Sequence, residues 1–582
     1  MHWTQVIDPF HNLTVSAMVA LIPILVIFWA LIIKKMKGYL ASLLALLIAL
    51  LIAVIIYGMP VKLALLSTAN GSLYGLFPIC WIIIPAVFLF NLTVRSGKFE
   101  VIKHFMASIT SDRRIQALLI AFSFGSFLEG TCGFGAPVAI TAAMLVGLGF
   151  DPLYAAGICL IANTAPVAFG SIGIPITVAS QVSGIPEMAI SQMIGRTLPL
   201  LSVILPFYIV VFMSGFRNSL AVLPAILVSG CSFALLQWST SNYLGPALPD
   251  IIAGIGSIVC LIICLKFWKP KSVWRFPNEP GATINTQIKY SPGEVLQAWS
   301  PFILLTIMVI AWGLSPVKQV FNAIGQLQFE MPGLHNVIND QNGNSLPHLF
   351  RFNYLSAAGT SILLSAVIAI PLLGLTFQVA WKIFLATLDQ LKFSVLTVGA
   401  VLGFAYILND SGITITLASG LANTGVFFPF FAPVLGWLGV FITGSDTSAN
   451  ALFGKLQSAT ATSIGIDPVV TVAANASGGV VGKMISPQSI AVASAAGNLV
   501  GRESDLFRFT VKHSFIMLMM ICLVVLGQAY LFPHIIPHYQ LNGTRAVAGN
   551  PDFFTGYIYL LTLTFVIIAF AIIIRVLNRD KS

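Results

Sequence analysis

Charged residues are scarce in this sequence. Asp, Glu, Lys and Arg make up 8% of the 582 residues, whereas 57% are hydrophobic. A water-soluble domain usually carries about a quarter charged residues, so a soluble globule is excluded. The apolar residues instead form runs of about 17 to 25, the length that a helix needs to cross about 30 Å of hydrocarbon. The sequence therefore predicts an all-α polytopic membrane protein whose main partner is the lipid bilayer.

Signatures of metal, redox and nucleotide chemistry are missing. The seven cysteines form no C-x-x-C pair, no H-E-x-x-H is present, and none of the eight histidines lies in the middle of an apolar run. The stretch 478–484 is similar to a nucleotide-binding loop but is one residue too short and lies inside an apolar run. We therefore expect no cofactor, no metal and no nucleotide-driven pumping.

The positive charges follow the pattern of a membrane protein. The net charge is +10 (29 basic minus 19 acidic residues), but the Lys and Arg residues are scattered between apolar runs. Short basic loops are typical of the cytoplasmic side, so nucleic-acid binding is not supported. Lys34, Lys35 and Lys37 place the first connection inside and the N-terminus outside. By the same rule we predict a cytoplasmic loop at 269–298 and an external loop at 316–352.

Hydropathy predicts about 12 to 16 hydrophobic segments, including re-entrant or broken helices. Whether 131–149 and 445–465 cross fully or re-enter stays open. The predicted spans lie near residues 13–33, 39–57, 72–94, 115–128, 131–149, 153–172, 195–213, 217–238, 249–268, 299–315, 353–373, 393–409, 427–443, 468–484, 513–532 and 554–574.

A weak internal repeat organises the chain. Asp151-Pro152 reappears as Asp467-Pro468, and Asn163, Gly170 and Pro175 share their mutual spacing with Asn475, Gly482 and Pro487. The alternative to a true repeat is chance similarity between helices that are rich in small residues. The basic loops give the two copies opposite directions, as in transporters built from two inverted-topology repeats. The predicted units are 1–71 (N-terminal helices), 72–213 (first repeat), 214–352 (linking helices), 353–501 (second repeat) and 502–582 (C-terminal helices).

Three acidic residues lie at membrane depth, where each charge costs about 2.5 to 3.5 kcal/mol on insertion scales. Glu129 lies in the most glycine-rich break, so we predict that it carries the coupled proton. Asp446 occupies the corresponding break of the second repeat, and Asp410 is a third candidate for proton coupling. A permanent hydrogen bond to the broken backbone is the alternative for Glu129, and a local helix end is the alternative for Asp410.

Lys483 is the predicted partner of an anionic substrate, because it lies beside a Ser-Pro break whose backbone amides suit a carboxylate. A salt bridge to Asp446 or Glu129 is the competing interpretation. Further polar residues near the breaks are candidate substrate ligands, although contacts between helices would also explain them. They are Thr131, Asn163, Thr164, Ser171, Ser445, Asn475, Ser477 and Ser486.

Four stretches, residues 128–138, 163–170, 444–454 and 474–488, resemble the L-lactate permease family, and the likeness extends over nearly the whole chain. The resemblance implies a symporter of the bacterial inner (plasma) membrane that moves lactate and glycolate with protons and is not an enzyme. It also implies kinship with transporters built from inverted repeats with re-entrant hairpins. Segments 326–349 and 534–551 look longer than the family pattern.

The function predicted from the sequence is proton-coupled symport of L-lactate and related 2-hydroxy monocarboxylates, namely D-lactate and glycolate. A sodium-coupled carboxylate transporter of the same architecture stays open, because Asn, Ser and Thr at the breaks supply oxygen ligands. A passive channel and a scaffold protein are further alternatives. The predicted partners are the small-molecule substrate, the proton and the bilayer, with a homo-oligomer allowed.

Overall fold

The computed structural model describes residues 2–34, 36–133, 135–276, 290–341, 343–422, 425–497, 499 and 502–539. Long helices dominate, and three π-helical segments (Trp29–Ile33, Gly75–Cys80 and Ala117–Phe124) continue neighbouring α-helices. The α-helices are α1 (Leu13–Phe28), α2 (Gly38–Ile55), α3 (Val61–Tyr74), α4 (Trp81–Arg95), α5 (Lys98–Ser108), α6 (Arg113–Gln116), α7 (Gly125–Thr131), α8 (Ala136–Gly147), α9 (Pro152–Ala162), α10 (Gly170–Ser183), α11 (Glu187–Ser214), α12 (Phe216–Leu220), α13 (Leu223–Tyr243), α14 (Pro249–Phe267), α15 (Pro292–Gly313), α16 (Ser315–Gly325), α17 (Ala358–Leu372), α18 (Phe377–Ser411), α19 (Ile413–Ala422), α20 (Phe428–Thr443), α21 (Asp446–Ser463), α22 (Pro468–Lys483), α23 (Pro487–Ala496) and α24 (Glu503–Tyr530).

The polytopic all-α prediction is confirmed. Among the described residues, 11 helices are long and apolar enough to cross a membrane, or 12 if α9 and α10, which are bent by 64°, are counted together as one span. An 18-residue window within Pro468–Ala496 is 94% buried inside the protein, and every residue of α22 is buried, so α22 lies at the centre and other helices face the lipid. The last predicted span, 554–574, lies outside the described residues.

Two predicted spans are longer in the structure. The span predicted at 72–94 begins at Val61, and the span predicted at 393–409 belongs to α18, which begins at Phe377. Lys382 and Lys392 therefore lie on this helix. Hydropathy missed the first helical turns of α18 because its exposed lysines can extend their charged ends to the interface. It missed the helical turns of α3 because Ser67 and Asn70 are polar yet buried against protein.

The segment 131–149, which the sequence leaves open between a full crossing and a re-entrant turn, does not form a full membrane span. Helix α8 has 12 residues, about 18 Å at 1.5 Å per residue, which is too short to cross about 30 Å of hydrocarbon. Gly133 and Gly135 adopt positive φ angles of 53° and 84°, so the chain reverses after α7 and α8 folds back against 117–124. Helices α20 and α21 form a second hairpin, which reverses at Gly444 (φ 72°).

The predicted external loop at 316–352 is largely folded. It begins with α16 and contains three short strands, β2 (Leu327–Glu330), β3 (Ile338–Asn339) and β4 (Leu349–Phe352). Strand β2 pairs antiparallel with β4, and β3 pairs in parallel with the N-terminal strand β1 (Trp3–Thr4). Residues 3–5 and 327–352 together form the outer cap, on the side that the basic loops assign to the exterior.

Candidate functional site

A small cavity lies where both hairpins and both helix breaks meet. Its volume is about 70 Å³, and it contains the side chains of five residues singled out from the sequence: Glu129, Ser171, Ser445, Asp446 and Lys483. The remaining lining residues are Gly135, Val167, Gly170, Pro175, Gly444, Thr447, Gln488, Ser489 and Val492. We call this the central cavity.

A buried ion pair crosses the central cavity. Lys483 Nζ lies 2.6 Å from Glu129 Oε1, and the two side chains are 10% and 3% exposed. Lys483 is the last residue of α22, where the helix dipole favours a cation. Glu129 Oε2 has no hydrogen-bond partner within the described residues. The pair is the salt bridge that the sequence left as an alternative for Lys483.

The break between α9 and α10 makes room for the Glu129 carboxylate. A Cβ at Gly170 would lie 2.9 Å from Glu129 Oε1, and a Cβ at Gly133 would lie 2.0 Å from Ser171 Oγ. Ser171 and Ile172 follow with positive φ angles of 48° and 59°, which is strained for residues with a side chain. The glycines and the strained backbone together allow the helix break to approach the carboxylate closely.

Asp446 enters the cavity from the second hairpin. Ser445 caps α21 by accepting a hydrogen bond from the backbone N–H of Ser448, which places Asp446 in the first helical turn. Its Oδ2 accepts a long hydrogen bond of 3.4 Å from Asn450 Nδ2, while Oδ1 has no partner within the described residues. A Cβ at Gly479 would lie 2.2 Å from that Oδ1, so a glycine is needed on α22 at this point.

Six of the predicted substrate ligands do not line the central cavity. Thr131 Oγ1 donates back to carbonyl oxygens of its own helix, and Asn475 bonds Gln457, Asn450 and a backbone carbonyl. Ser486 caps α23. The other three, Asn163, Thr164 and Ser477, are buried with an unpartnered side-chain oxygen.

Asp410 lies in a different place from Glu129 and Asp446. Its Oδ2 accepts hydrogen bonds from Ser67 Oγ at 2.6 Å and from His348 Nε2 at 3.0 Å. Both ring nitrogens of His348 face acceptors, since Nδ1 lies 3.1 Å from the carbonyl oxygen of Leu346, and only a protonated imidazole donates from both. The structure thus brings Glu129 and Asp446 together and separates Asp410 from them.

Asp250 is a buried acid that the sequence interpretation missed. It lies in the first turn of α14, it is 1% exposed, and neither carboxyl oxygen has a partner within the described residues. A Cβ at Gly130 would lie 2.7 Å from Asp250 Cβ, which places this acid beside the helix that carries Glu129. In the sequence, Asp250 could have been found as an aspartate at the start of an apolar run.

The arrangement supports an exchange of partners. One cation, one carboxylate paired with it and a second carboxylate share a small cavity that is also lined by hydroxyl groups and one amide. An incoming anion would compete with Glu129 for Lys483, because both would use the same ammonium group. Within the described residues, no group of three or more His, Cys, Asp or Glu side chains is placed to hold a metal ion.

A family model described as L-lactate permease matches residues 16–532. The chain belongs to the L-lactate permease family. An L-lactate permease of Bacillus subtilis is 53% identical over 92% of this chain and 100% of its own length. The glycolate permease GlcA of Escherichia coli is 50% identical over 91% of this chain and 98% of its own. An L-lactate permease of Salmonella typhimurium is 48% identical over 92% and 100%.

These matches confirm the resemblance that the motifs indicated. The family consists of permeases, and this permease has 11 or 12 candidate spans within its described residues. It is a multi-pass protein of the bacterial inner membrane. The family match includes the five predicted residues that line the central cavity and also the nine other described residues that line it.

Proposed function

We propose that this chain is a proton-coupled symporter that carries L-lactate, D-lactate and glycolate across the plasma membrane without chemical change. The observation that carries the proposal is the buried Glu129–Lys483 ion pair in a small polar cavity. The names of the relatives, L-lactate permease and glycolate permease, support the substrate class. The small volume favours a short acid over a larger carboxylate.

Proton coupling follows from the competition for Lys483. A proton on Glu129 removes the charge that holds Lys483, and the substrate carboxylate then takes its place. Cation and bound anion again balance, so the loaded site carries no net charge from these groups, and moving it through a low-dielectric region costs less. Ser171, Ser445 and Gln488 line the same cavity and supply hydrogen bonds to the substrate hydroxyl.

The proposed inverted repeats give this site two routes of access. Hairpin arm α8 of the first half packs against α23 of the second half. Hairpin arm α21 of the second half packs against α10 of the first half. Each contact joins the second arm of one hairpin to the second part of the other half's broken helix, which supports a two-fold relation between the halves. Rocking of such halves around a fixed site is the usual basis of alternating access.

Uptake into proteoliposomes tests the proposal. An inward proton gradient should drive accumulation of labelled L-lactate without sodium, and a protonophore should abolish it. Glu129→Gln should keep lactate exchange but lose accumulation, whereas Glu100→Gln, at an exposed ion pair with Lys103, should behave like the unmodified protein. A strict sodium requirement would establish the sodium-coupled alternative instead, and equilibration without accumulation would indicate a channel.

A further inference from the structure

A second and larger cavity lies beneath the outer cap. Its volume is about 460 Å³, and residues from α3, α10, α18, α21 and the cap line it. Its lining is rich in polar groups, among them Gln5, Asn70, Gln181, His348, Asp410 and Lys455. We call it the outer cavity. The proposed function places the substrate only in the central cavity and leaves this space without a role.

Lys455 is the unusual group in the outer cavity. It lies in the middle of α21, and within the described residues its ammonium has no hydrogen bond and no carboxylate within 4.0 Å. Asp410 lines the same cavity, but its Oδ2 is already held by Ser67 and His348. Lys455 is partly buried, and no carboxylate of the described residues neutralises its charge at close range, so an anion that enters the cavity would find an available cation.

Asn70 provides an independent sign of a missing ligand. The residue is 1% exposed, and its Oδ1 has no partner within the described residues. A buried amide oxygen without a donor costs about 1 to 3 kcal/mol, so a hydroxyl from a bound molecule would be favourable. A free cation and a free acceptor in one cavity match the carboxylate and the hydroxyl of a 2-hydroxy acid.

The same two helices line both cavities. Helix α10 contributes Pro175 to the central cavity and Gln181 to the outer one, while α21 contributes Asp446 and Lys455 in the same order. Lys455 lies nine positions after Asp446, which corresponds to a rise of about 14 Å along a helix. The two cavities therefore lie at successive positions along the contact between α10 and α21.

We propose that the outer cavity is a second binding site for a 2-hydroxy monocarboxylate, with the carboxylate on Lys455 and the hydroxyl on Asn70 Oδ1. It collects substrate from the exterior before transfer to Lys483. The other charged groups that line it are Asp410 with its partner His348, and Asp340, whose carboxylate accepts hydrogen bonds from the backbone and side chain of Asn344. This inference rests on the proposed function, since it assumes the same substrate.

Binding stoichiometry tests the proposal directly. The full-length purified chain should bind two labelled L-lactate molecules, Lys455→Gln and Lys483→Gln one each, and the double variant none. Lys455→Arg and the exposed control Lys392→Gln should keep two. One molecule per unmodified chain, or two per Lys455→Gln chain, would overturn the second site.

A ligand series and a second variant keep the test independent of protein folding. Propionate lacks the hydroxyl, so it should bind the outer site of the unmodified chain about 10-fold more weakly than lactate, and Asn70→Leu should remove that preference. Lys455→Gln should raise the KM of uptake about 10-fold with less effect on kcat. Accumulation of lactate by a chain that binds only one molecule would reject this inference alone, whereas absence of accumulation would reject the proposed function.

Discussion

The two polar cavities combine similar groups in opposite ways. In the central cavity the lysine is paired with a glutamate at 2.6 Å, and a second carboxylate, Asp446, stands beside it. In the outer cavity no carboxylate of the described residues lies within 4.0 Å of the lysine, and Asp410 is instead paired with His348. An incoming anion competes with the existing carboxylate for a paired cation, whereas it meets no such competition at an unpaired one. The comparison suggests that only the central cavity links binding to a proton.

The largest expected effect comes from removing the central cation. Lys483→Gln should lower lactate uptake by at least about 100-fold, because it removes the substrate's counter-charge and leaves Glu129 buried without a partner. The Glu129→Gln/Lys483→Gln double variant should be no slower than Lys483→Gln alone, since groups that act as one unit are not additive. Initial uptake rates into proteoliposomes measure both. Equal losses at Lys455→Gln would contradict the division of roles.

Glycine at position 170 gives the next largest effect. In Gly170→Ala the added Cβ would lie 2.9 Å from Glu129 Oε1, so the carboxylate must move away from Lys483. We expect uptake to fall about 10-fold and its dependence on external pH to shift. Gly38→Ala is the matched control, since its Cβ would have nothing within 4 Å. An unchanged pH profile in Gly170→Ala would show that the tight contact is not needed for coupling.

The outer cavity should respond to pH through His348. Burial lowers the pKa of His348, but the hydrogen bond and charge of Asp410 and the carbonyl oxygens of Leu346 and Leu334 raise it, with a net increase. The pair therefore stabilises the folded protein fully below pH about 6.5, and this contribution is lost as the pH rises through the raised value. His348→Gln should lower the Tm at pH 6 and have little effect at pH 9.

The control for the Tm measurement is a histidine outside the group of charged residues that surrounds His348. Asp410 on α18 and Lys455 on α21 line the same cavity, Asp340 lies in the cap, and His335 contacts the His348 backbone. His534→Gln, outside this cavity, should leave the Tm unchanged at both pH values. A Tm difference between His348→Gln and the unmodified chain that stayed constant from pH 6 to pH 9 would mean that the ion pair adds nothing.

The smallest effect is expected at Thr131. Its hydroxyl bonds only to carbonyl oxygens of its own helix, so Thr131→Val should change uptake less than about 2-fold. Ser171→Ala, which removes a hydroxyl that lines the central cavity, should raise the KM for lactate several-fold. Measurement of KM and kcat for both variants distinguishes the small effect of Thr131→Val from the raised KM of Ser171→Ala. A larger loss at Thr131 than at Ser171 would mean that the substrate contacts a different face of the hairpin.

The sequence indicated the central residues better than their pairing. Glu129, Asp446 and Lys483 stood out because a charge inside an apolar stretch needs a reason, and all three line one cavity. The contact of Glu129 with Lys483 joins residues 354 positions apart, and hydropathy carries no information about such a contact. For the same reason Asp410 was grouped with Glu129, although the packing of α18 against α3 assigns it to the outer cavity.

Helix boundaries were least predictable where polar residues face protein. Asn70 and Lys455 belong to helices that hydropathy truncates or omits, so the residues that line the outer cavity could not be grouped from the sequence. The sequence leaves open whether 131–149 crosses or re-enters, because the 12 residues of α8 and the turn before them look like one longer apolar run. Only the positive φ angles of Gly133 and Gly135 show that the chain turns back.

The pairing of Trp3 and Thr4 with Ile338 and Asn339 affects how the protein should be handled in the laboratory. An affinity tag or fluorescent fusion attached just before Trp3 would emerge from a paired strand, next to Gln5, whose side chain donates to the Asn409 and Asp410 carbonyls. Purification handles are better inserted away from the cap, in an exposed turn such as the one at Gly374, where an added Cβ would meet nothing within 4 Å.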